Sequence, residues 1–193
     1  MSSREKILNA IAGNKPEALA LNLIDPDAVI HYPDLKEQFR NVLQSIGGTV
    51  VELNDIQLLQ EELNANRNAN HFVVNTIPAL GDIDSEAFTK TPEQLEQLDI
   101  AYIQGSIAVA ENGAVWVYEH QMGNRLIPFI CQHLILVVEK KNLVSTMHQA
   151  YQQIDIAKDG FGAFIAGPSK TADIEQSLVI GAHGARSLVL YLV

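Results

Sequence analysis

The run Ser187-Leu188-Val189-Leu190-Tyr191-Leu192-Val193 constrains the fold more than any other stretch of this chain. It is too uniformly apolar for the edge of a sheet and suits a parallel strand covered on both faces. A parallel partner is reached by a crossover, usually through a helix, so such a strand calls for strand-helix-strand units elsewhere in the chain.

Those units are legible upstream. From Asp34 to Ile46, apolar Leu35, Phe39, Val42, Leu43 and Ile46 recur at helical spacing, Gly47-Gly48 ends the helix, and Thr49 to Leu53 reads as a strand. Asp55 caps a helix from Ile56 to about Leu63, and His71 to Val74 is a strand. Thr91 with Glu93 and Gln94 starts a short helix before a strand at Ile100 to Ile103. Ile107 to Ala110, Val115 to Tyr118 and Leu134 to Val138 read as strands, Leu126 to Cys131 as a helical turn, and Leu143 to Gln153 as a helix. The expected class is α/β, a mostly parallel sheet with helices on both faces.

At 193 residues and 47% hydrophobic composition the chain can bury one sizeable core. That core is expected in residues 34–193. Ahead of it, Ser2 with Glu5 forms a capping-box pattern for a short helix that stops at Gly13, and the segment bearing Pro16, Pro26 and Pro33 reads as an extended connection. Residues 1–33 therefore form a helix and an arm outside the core. Such an arm buries little by itself, and it is expected to pack against another copy of the chain.

The net charge of -10 opposes binding to a phosphate backbone, so nucleic acid is excluded as a partner. Met1-Ser2-Ser3-Arg4-Glu5 leads into a mixed-polarity helix rather than an apolar leader, and no run is long enough to cross a bilayer; a cytoplasmic chain with no membrane partner is expected. Cys131 alone can form no internal disulfide and hold no iron-sulfur cluster, which takes about four thiolates. Its thiol is read as a core group. His31, His71, His120 and His148 show no metal spacing, so no metal is expected, and His133, at the start of an apolar strand, reads as a hydrogen-bonded core histidine. Trp116, alternating with Val115 and Val117, packs on one face of a sheet.

The densest chemistry precedes the last strand. Phe161 to Ala166 reads as a strand, Gly167-Pro168-Ser169 breaks it, and Thr171-Ala172-Asp173-Ile174-Glu175 opens a helical pattern that ends at Gly181. In a parallel sheet that loop would lie at the carboxyl ends of the strands, with a helix N-terminus facing a ligand. Gly167 would let the ligand approach the backbone, Ser169 and Thr171 would supply hydroxyls, and Lys170 a point charge. Asp173 and Glu175 add negative charge to the same helix start.

These residues resemble the C-terminal signature of the lactate utilization protein C family, also called the LUD domain. Gly167, Pro168, Ser169, Thr171, Ala172, Asp173, Ile174, Glu175, Gly181, His183 and Gly184 fall on its pattern, whereas Lys170 stands for the usual Arg and Ala185 for a Pro. Lys keeps the charge but loses the planar fork. Upstream, Ala108 to Ala114 looks like the family's Ala-Glu-Thr-Gly-Thr stretch with Asn112 and Ala114 replacing both threonines, and Arg125, Pro128 and His133 fit its next segment.

The resemblance implies a CoA transferase-like fold and an accessory role in oxidising L-lactate to pyruvate, beside iron-sulfur partner proteins that hold the clusters. No cofactor is then expected on this chain. It also implies a pocket for a small anionic ligand, bound by Arg125, Gly167, Ser169, Lys170, Thr171, Asp173 and Gly184 with His183 in its lining. Three residues keep two readings each. Arg125 is a bidentate clamp for a carboxylate or a surface arginine beside Asn124. His183 is a proton carrier or a loop stabiliser, and Glu111 is a catalytic carboxylate, by analogy with coenzyme A transferases, or a solvated turn residue. The alternative function is a free-standing enzyme of acyl-transfer or phosphosugar type, with Glu111, Lys170 and His183 as its acid, anion and base groups.

Overall fold

The computed structural model describes residues 2–17, 19, 20, 22, 25, 28, 30–172, 178–181 and 184–193. The strands are β1 (Thr49–Glu52), β2 (Val73–Asn75), β3 (Ile100–Gln104), β4 (Ile107–Val109), β5 (Ala114–Tyr118), β6 (His133–Val138), β7 (Leu143–Val144), β8 (Gly162–Ile165), β9 (Lys170–Ala172), β10 (Leu178–Ile180) and β11 (Ser187–Leu192). The α-helices are α1 (Ser3–Gly13), α2 (Leu35–Ser45), α3 (Gln57–Asn68), α4 (Pro92–Leu95), α5 (Glu119–Met122), α6 (Ile127–Ile130), α7 (Met147–Gln153) and α8 (Ile156–Asp159).

Five strands form a wholly parallel sheet in the order β1-β11-β6-β3-β2. The apolar run that opens the analysis is its inner strand β11, with Val189 opposite Thr49 on one side and Ile135 on the other. One face of this sheet carries Leu134, Leu136, Leu188 and Leu190 and is packed by Phe39 and Leu43 of α2. Asp34 fixes the start of α2 by accepting the Lys36 and Glu37 amides, each at 2.9 Å. The opposite face carries Ile100, Tyr102, Ile135 and Val137 beneath Leu59 and Leu63 of α3. Helices on both faces of a mainly parallel sheet are the α/β class that the alternation of runs predicts.

A second sheet, β7-β4-β5-β8, lies over the α2 side of the first and contributes Ala108, Val115 and Val117 to the same core. Its outer face holds Trp116, Ile107 and Val109 beneath Ala150 of α7. This sheet corrects one expected element: Leu143 to Gln153 is not one helix. Leu143 and Val144 pair with Ala108 and Val109, and α7 begins only after Thr146, whose side chain caps it. The apolar pair is worth more as a sheet edge over a buried core than as a helical first turn.

A larger correction concerns the segment after Gly167. Lys170–Ala172 is strand β9, paired antiparallel with β10 in a separate two-stranded ribbon, so no helix starts at Thr171. A short apolar run such as Leu178-Val179-Ile180 fits either period, and strand pairing decides it. Asp173, Ile174 and Glu175 lie outside the described residues.

A polar clamp pins α3 to the sheet. Tyr102 of β3 donates its hydroxyl to Glu62 Oε1 at 3.1 Å, Tyr191 of β11 donates to Oε2 at 2.6 Å, and Asn66 donates to the Tyr102 oxygen at 2.9 Å. Burial first, and then the Glu62 carboxylate, push both phenols above their ordinary value. A raised tyrosine stabilises the fold fully below the unfolded value near pH 10 and loses that contribution as pH rises beyond it. Tyr102→Phe should therefore cost about 1 to 1.5 kcal/mol in urea unfolding at neutral pH, and the difference from the parent should shrink above about pH 10. An unchanged midpoint at neutral pH would remove the clamp from the account.

Candidate functional site

The Gly167-Pro168-Ser169 loop does not lie at the carboxyl ends of the parallel strands. The Ser169 amide donates to the Ala185 carbonyl at 2.8 Å, and the Arg186 amide donates to the Gln132 carbonyl at 2.8 Å, immediately before β11 and β6 begin. A Cβ placed on Gly47, just ahead of β1, would stand 3.4 Å from Pro168 Cγ. The loop thus sits at the amino ends of β1, β11 and β6. The cause is topological: it follows β8, which belongs to the second sheet and runs back across the core face.

Backbone packing accounts for the loop's glycines. Gly167 has φ +74, and a Cβ there would approach the Ile46 carbonyl to 3.0 Å. On Gly184, with φ +159, a Cβ would stand 2.9 Å from Ser169 Cβ. The two ends of the family-like pattern therefore close on each other, and the Gly181 amide completes the contact by donating to the Ser169 carbonyl at 3.0 Å. They line a cavity of about 240 Å³, with Phe129, Leu134 and Phe164 as apolar walls.

Of the expected ligand residues, Gly167, Ser169 and Gly184 line this cavity. Lys170 is exposed on β9 and Thr171 follows it in the same strand, so neither stands at a helix start. His183 and Asp173 lie outside the described residues. Arg125 donates from Nε and Nη2 to Glu119, at 2.7 and 3.0 Å, and stacks over Phe161 with 4.6 Å to the ring centroid. That bidentate pair occupies the fork that would clamp a carboxylate. Arg125 also follows the far end of β5, whereas Gly167 follows Ile165, which pairs with Val115 near its start. At about 3.3 Å per residue, the three steps from Val115 to Tyr118 put roughly 10 Å of strand between those two ends.

Glu111 occupies the turn between β4 and β5, at the same end as Gly167. Its Oε2 accepts the Met147 amide at 2.9 Å, so the carboxylate serves the first turn of α7. This is a structural task for an exposed turn carboxylate. His133 is corrected from a core residue to an exposed one, its Nδ1 2.8 Å from Ser187 Oγ across the paired starts of β6 and β11. Cys131 is fully buried, and burial pushes its thiol up to about 12. Among the described residues, no group of three or more His, Cys, Asp or Glu could hold a metal ion.

The carboxyl ends of the parallel strands present a second cavity, of about 360 Å³, which sequence reasoning missed. Gln104, Ser106, Tyr118, Gln121 and Asn142 line it. Gln121 is fixed there: its Oε1 accepts from Ser106 Oγ at 2.8 Å and from the Tyr118 amide at 2.9 Å, and its carbonyl accepts from Thr76 Oγ1 at 2.7 Å. Amides and hydroxyls suit a neutral hydrogen-bonding group, and the lining carboxylate Glu139 is paired with Lys141 at 2.5 Å. The signal was Gln104-Gly105-Ser106, a polar triplet directly after an apolar strand.

A parallel sheet whose signature loop closes on itself at the amino ends, backed by a smaller mixed sheet, defines the class. The LUD domain matches residues 5–193, and the chain belongs to that family. A protein named lactate utilization protein C from Geobacillus sp. (strain WCH70) is 27% identical over 189 residues, which cover 94% of this chain and 76% of the relative. Another of that name, from Shouchella clausii, is 32% identical over 114 residues, covering 56% of this chain and 50% of the relative. One from Geobacillus kaustophilus is 35% identical over 133 residues, covering 66% and 51%. The chain thus spans about half the length of several curated relatives that it matches. The crystal structure of a DUF162 family protein from Deinococcus radiodurans has the same fold, with a TM-score of 0.61 at 18% identity over 82% of this chain and 96% of that one.

Because the loop backbone closes against Ile46, Gly167→Ala should destabilise the fold by about 1 to 3 kcal/mol. Gly13→Ala, at a position with nothing within 4 Å, is the control and should leave the denaturant midpoint in place. Equal midpoints for both variants would show that the loop is not held by this contact.

Proposed function

We propose that this chain is an accessory component of L-lactate utilization, the oxidation of L-lactate to pyruvate, and that it acts with iron-sulfur partner proteins that carry the electrons. Membership of the LUD domain family and relatives named lactate utilization protein C support the metabolic role. The observation that carries the division of labour is Cys131. Iron-sulfur clusters are held by thiolates, and the chain's single thiol is fully buried and raised to about 12, a state unsuited to ligation. Electron transfer through clusters then falls to other proteins. The acyl-transfer reading draws no support from Glu111, whose carboxylate is engaged with the α7 backbone.

In this reading the cavity lined by Gly167, Ser169 and Gly184 is the place for a small ligand of the system, its carbon skeleton facing Phe129 and Leu134. Deleting the gene in its source organism should abolish growth on L-lactate while growth on pyruvate continues. Retained growth on lactate would overturn the metabolic role. A tagged chain should also co-purify with cysteine-rich iron-sulfur proteins, and their absence from the eluate would remove the partner half of the proposal. Independently, Cys131 should resist Ellman's reagent in the native protein and react fully in denaturant; rapid native labelling would refute the buried, protonated thiol.

A further inference from the structure

The cavity at the carboxyl ends of the parallel strands holds two side-chain amides whose orientation is forced. Gln104 Nε2 donates to the Gly105 and Val137 carbonyls, at 3.2 and 3.0 Å, and a carbonyl can only accept. The nitrogen is thereby spent, and Gln104 Oε1 is left as an acceptor. Gln121 is fixed the other way round. Its Oε1 accepts from Ser106 Oγ and from the Tyr118 amide, which leaves the hydrogens of Nε2 to donate. Among the described residues, the Trp116 indole nitrogen is the one buried side-chain polar atom without a hydrogen-bond partner. Gln104 Oε1 and Gln121 Nε2, which have no partner there either, are therefore open to solvent, and the cavity of about 360 Å³ is the space that both side chains line.

The rest of the lining narrows the class of ligand. Among the described residues no lysine, arginine or histidine lines the cavity, and its carboxylate Glu139 is paired with Lys141. A phosphate or carboxylate would find no counter-charge there. A flat heterocycle needs apolar faces to lie against, and the apolar walls are Ile107, which is 5% exposed, and the Tyr118 ring, which is already stacked on His120. What remains is hydrogen-bonding capacity. The Tyr118 hydroxyl accepts the Asp155 amide at 3.4 Å and keeps its hydrogen to donate, and Asn142 adds an amide able to do both. A hydroxyl group also donates and accepts, so a compact polyol satisfies such a lining on several sides at once.

We infer that this cavity binds a neutral polyhydroxylated molecule of monosaccharide size, with Gln121 Nε2 donating to one hydroxyl oxygen, Gln104 Oε1 accepting from another and Asn142 bonding a third. The carboxyl ends of parallel strands are where open α/β sheets hold their ligands. Both glutamines are already immobilised by the fold, so binding costs little of their rotamer freedom. The site is at the opposite end of the sheet from the cavity lined by Gly167, Ser169 and Gly184, and it stands whether or not that one holds a ligand.

Titration of the isotope-labelled full chain with D-glucose, D-galactose, D-ribose and myo-inositol, followed by nuclear magnetic resonance, tests this. At least one of them should bind saturably at millimolar concentration or below and move the amide resonances of Gly105, Ser106 and Gln121. The phosphate ester of that sugar and uracil are the charged and planar probes, and each should bind at least about tenfold more weakly, the worth of one or two neutral hydrogen bonds. Gln121→Glu keeps the acceptor contacts of Oε1 but replaces the donor with a negative oxygen, so it should weaken sugar binding at least about tenfold. Asn142→Ala should weaken it severalfold at an unchanged thermal midpoint, because Asn142 is tied to the fold through its backbone amide, and it decides the matter if Gln121→Glu unfolds. No saturable binding of any of the four probes overturns the inference. So does tighter binding of the phosphate ester or of uracil, or full affinity in either folded variant. Shifts confined to Ser169 and Ala185 would seat the sugar in the other cavity and reject this one.

Discussion

The parallel sheet depends on the insertion of β11 between β1 and β6. Among the described residues β1 pairs with no other strand, so the backbone of the first strand is bonded to the last one described. Every backbone bond of that insertion joins residues far apart in sequence, and its loop-closure cost is recovered only when Leu188, Leu190 and Leu192 reach the α2 core. The same insertion brings Tyr191 to Glu62, linking α3 to the arrival of β11. A sheet assembled this way gains little until its most distant pairing is made.

The signature loop belongs to that insertion. Ser169 bonds to Ala185, Gly181 bonds to Ser169, and Gly184 packs on the Ser169 side chain, all in the few residues that deliver the chain to β11. The second sheet sets where this happens. Because β8 returns across the core, the loop arrives at the amino ends of the parallel strands and leaves their carboxyl ends to Gln104, Ser106 and Gln121. The two cavities accordingly differ in chemistry. One offers apolar walls, the other a set of neutral amides and hydroxyls.

Charge is distributed in keeping with this layout. Arg125 and Glu119 satisfy each other bidentately, and Arg40 and Lys36 both meet Glu52, so several cations of an acidic protein are committed to internal pairs.

What the sequence determined by itself is the periodic part. Ser187 to Val193 specified an inner parallel strand, the spacing of Phe39 and Leu43 specified α2 with Gly47-Gly48 as its end, and Ser2 with Glu5 specified α1, because in each case local propensity and burial pattern agree. The family was legible from Gly167 to Gly184 for a related reason: those glycines are dictated by close backbone approaches that admit no side chain. Tertiary structure alone decided the rest. The segment after Gly167 became a strand because β10 was there to pair with it, and Leu143-Val144 left its helix to complete the edge of the second sheet. Arg125 and Glu111, both credible ligands in one dimension, were claimed by Glu119 and by the α7 backbone. Pairing partners and the ends of a sheet are set by contacts distant in sequence, and no local pattern encodes them.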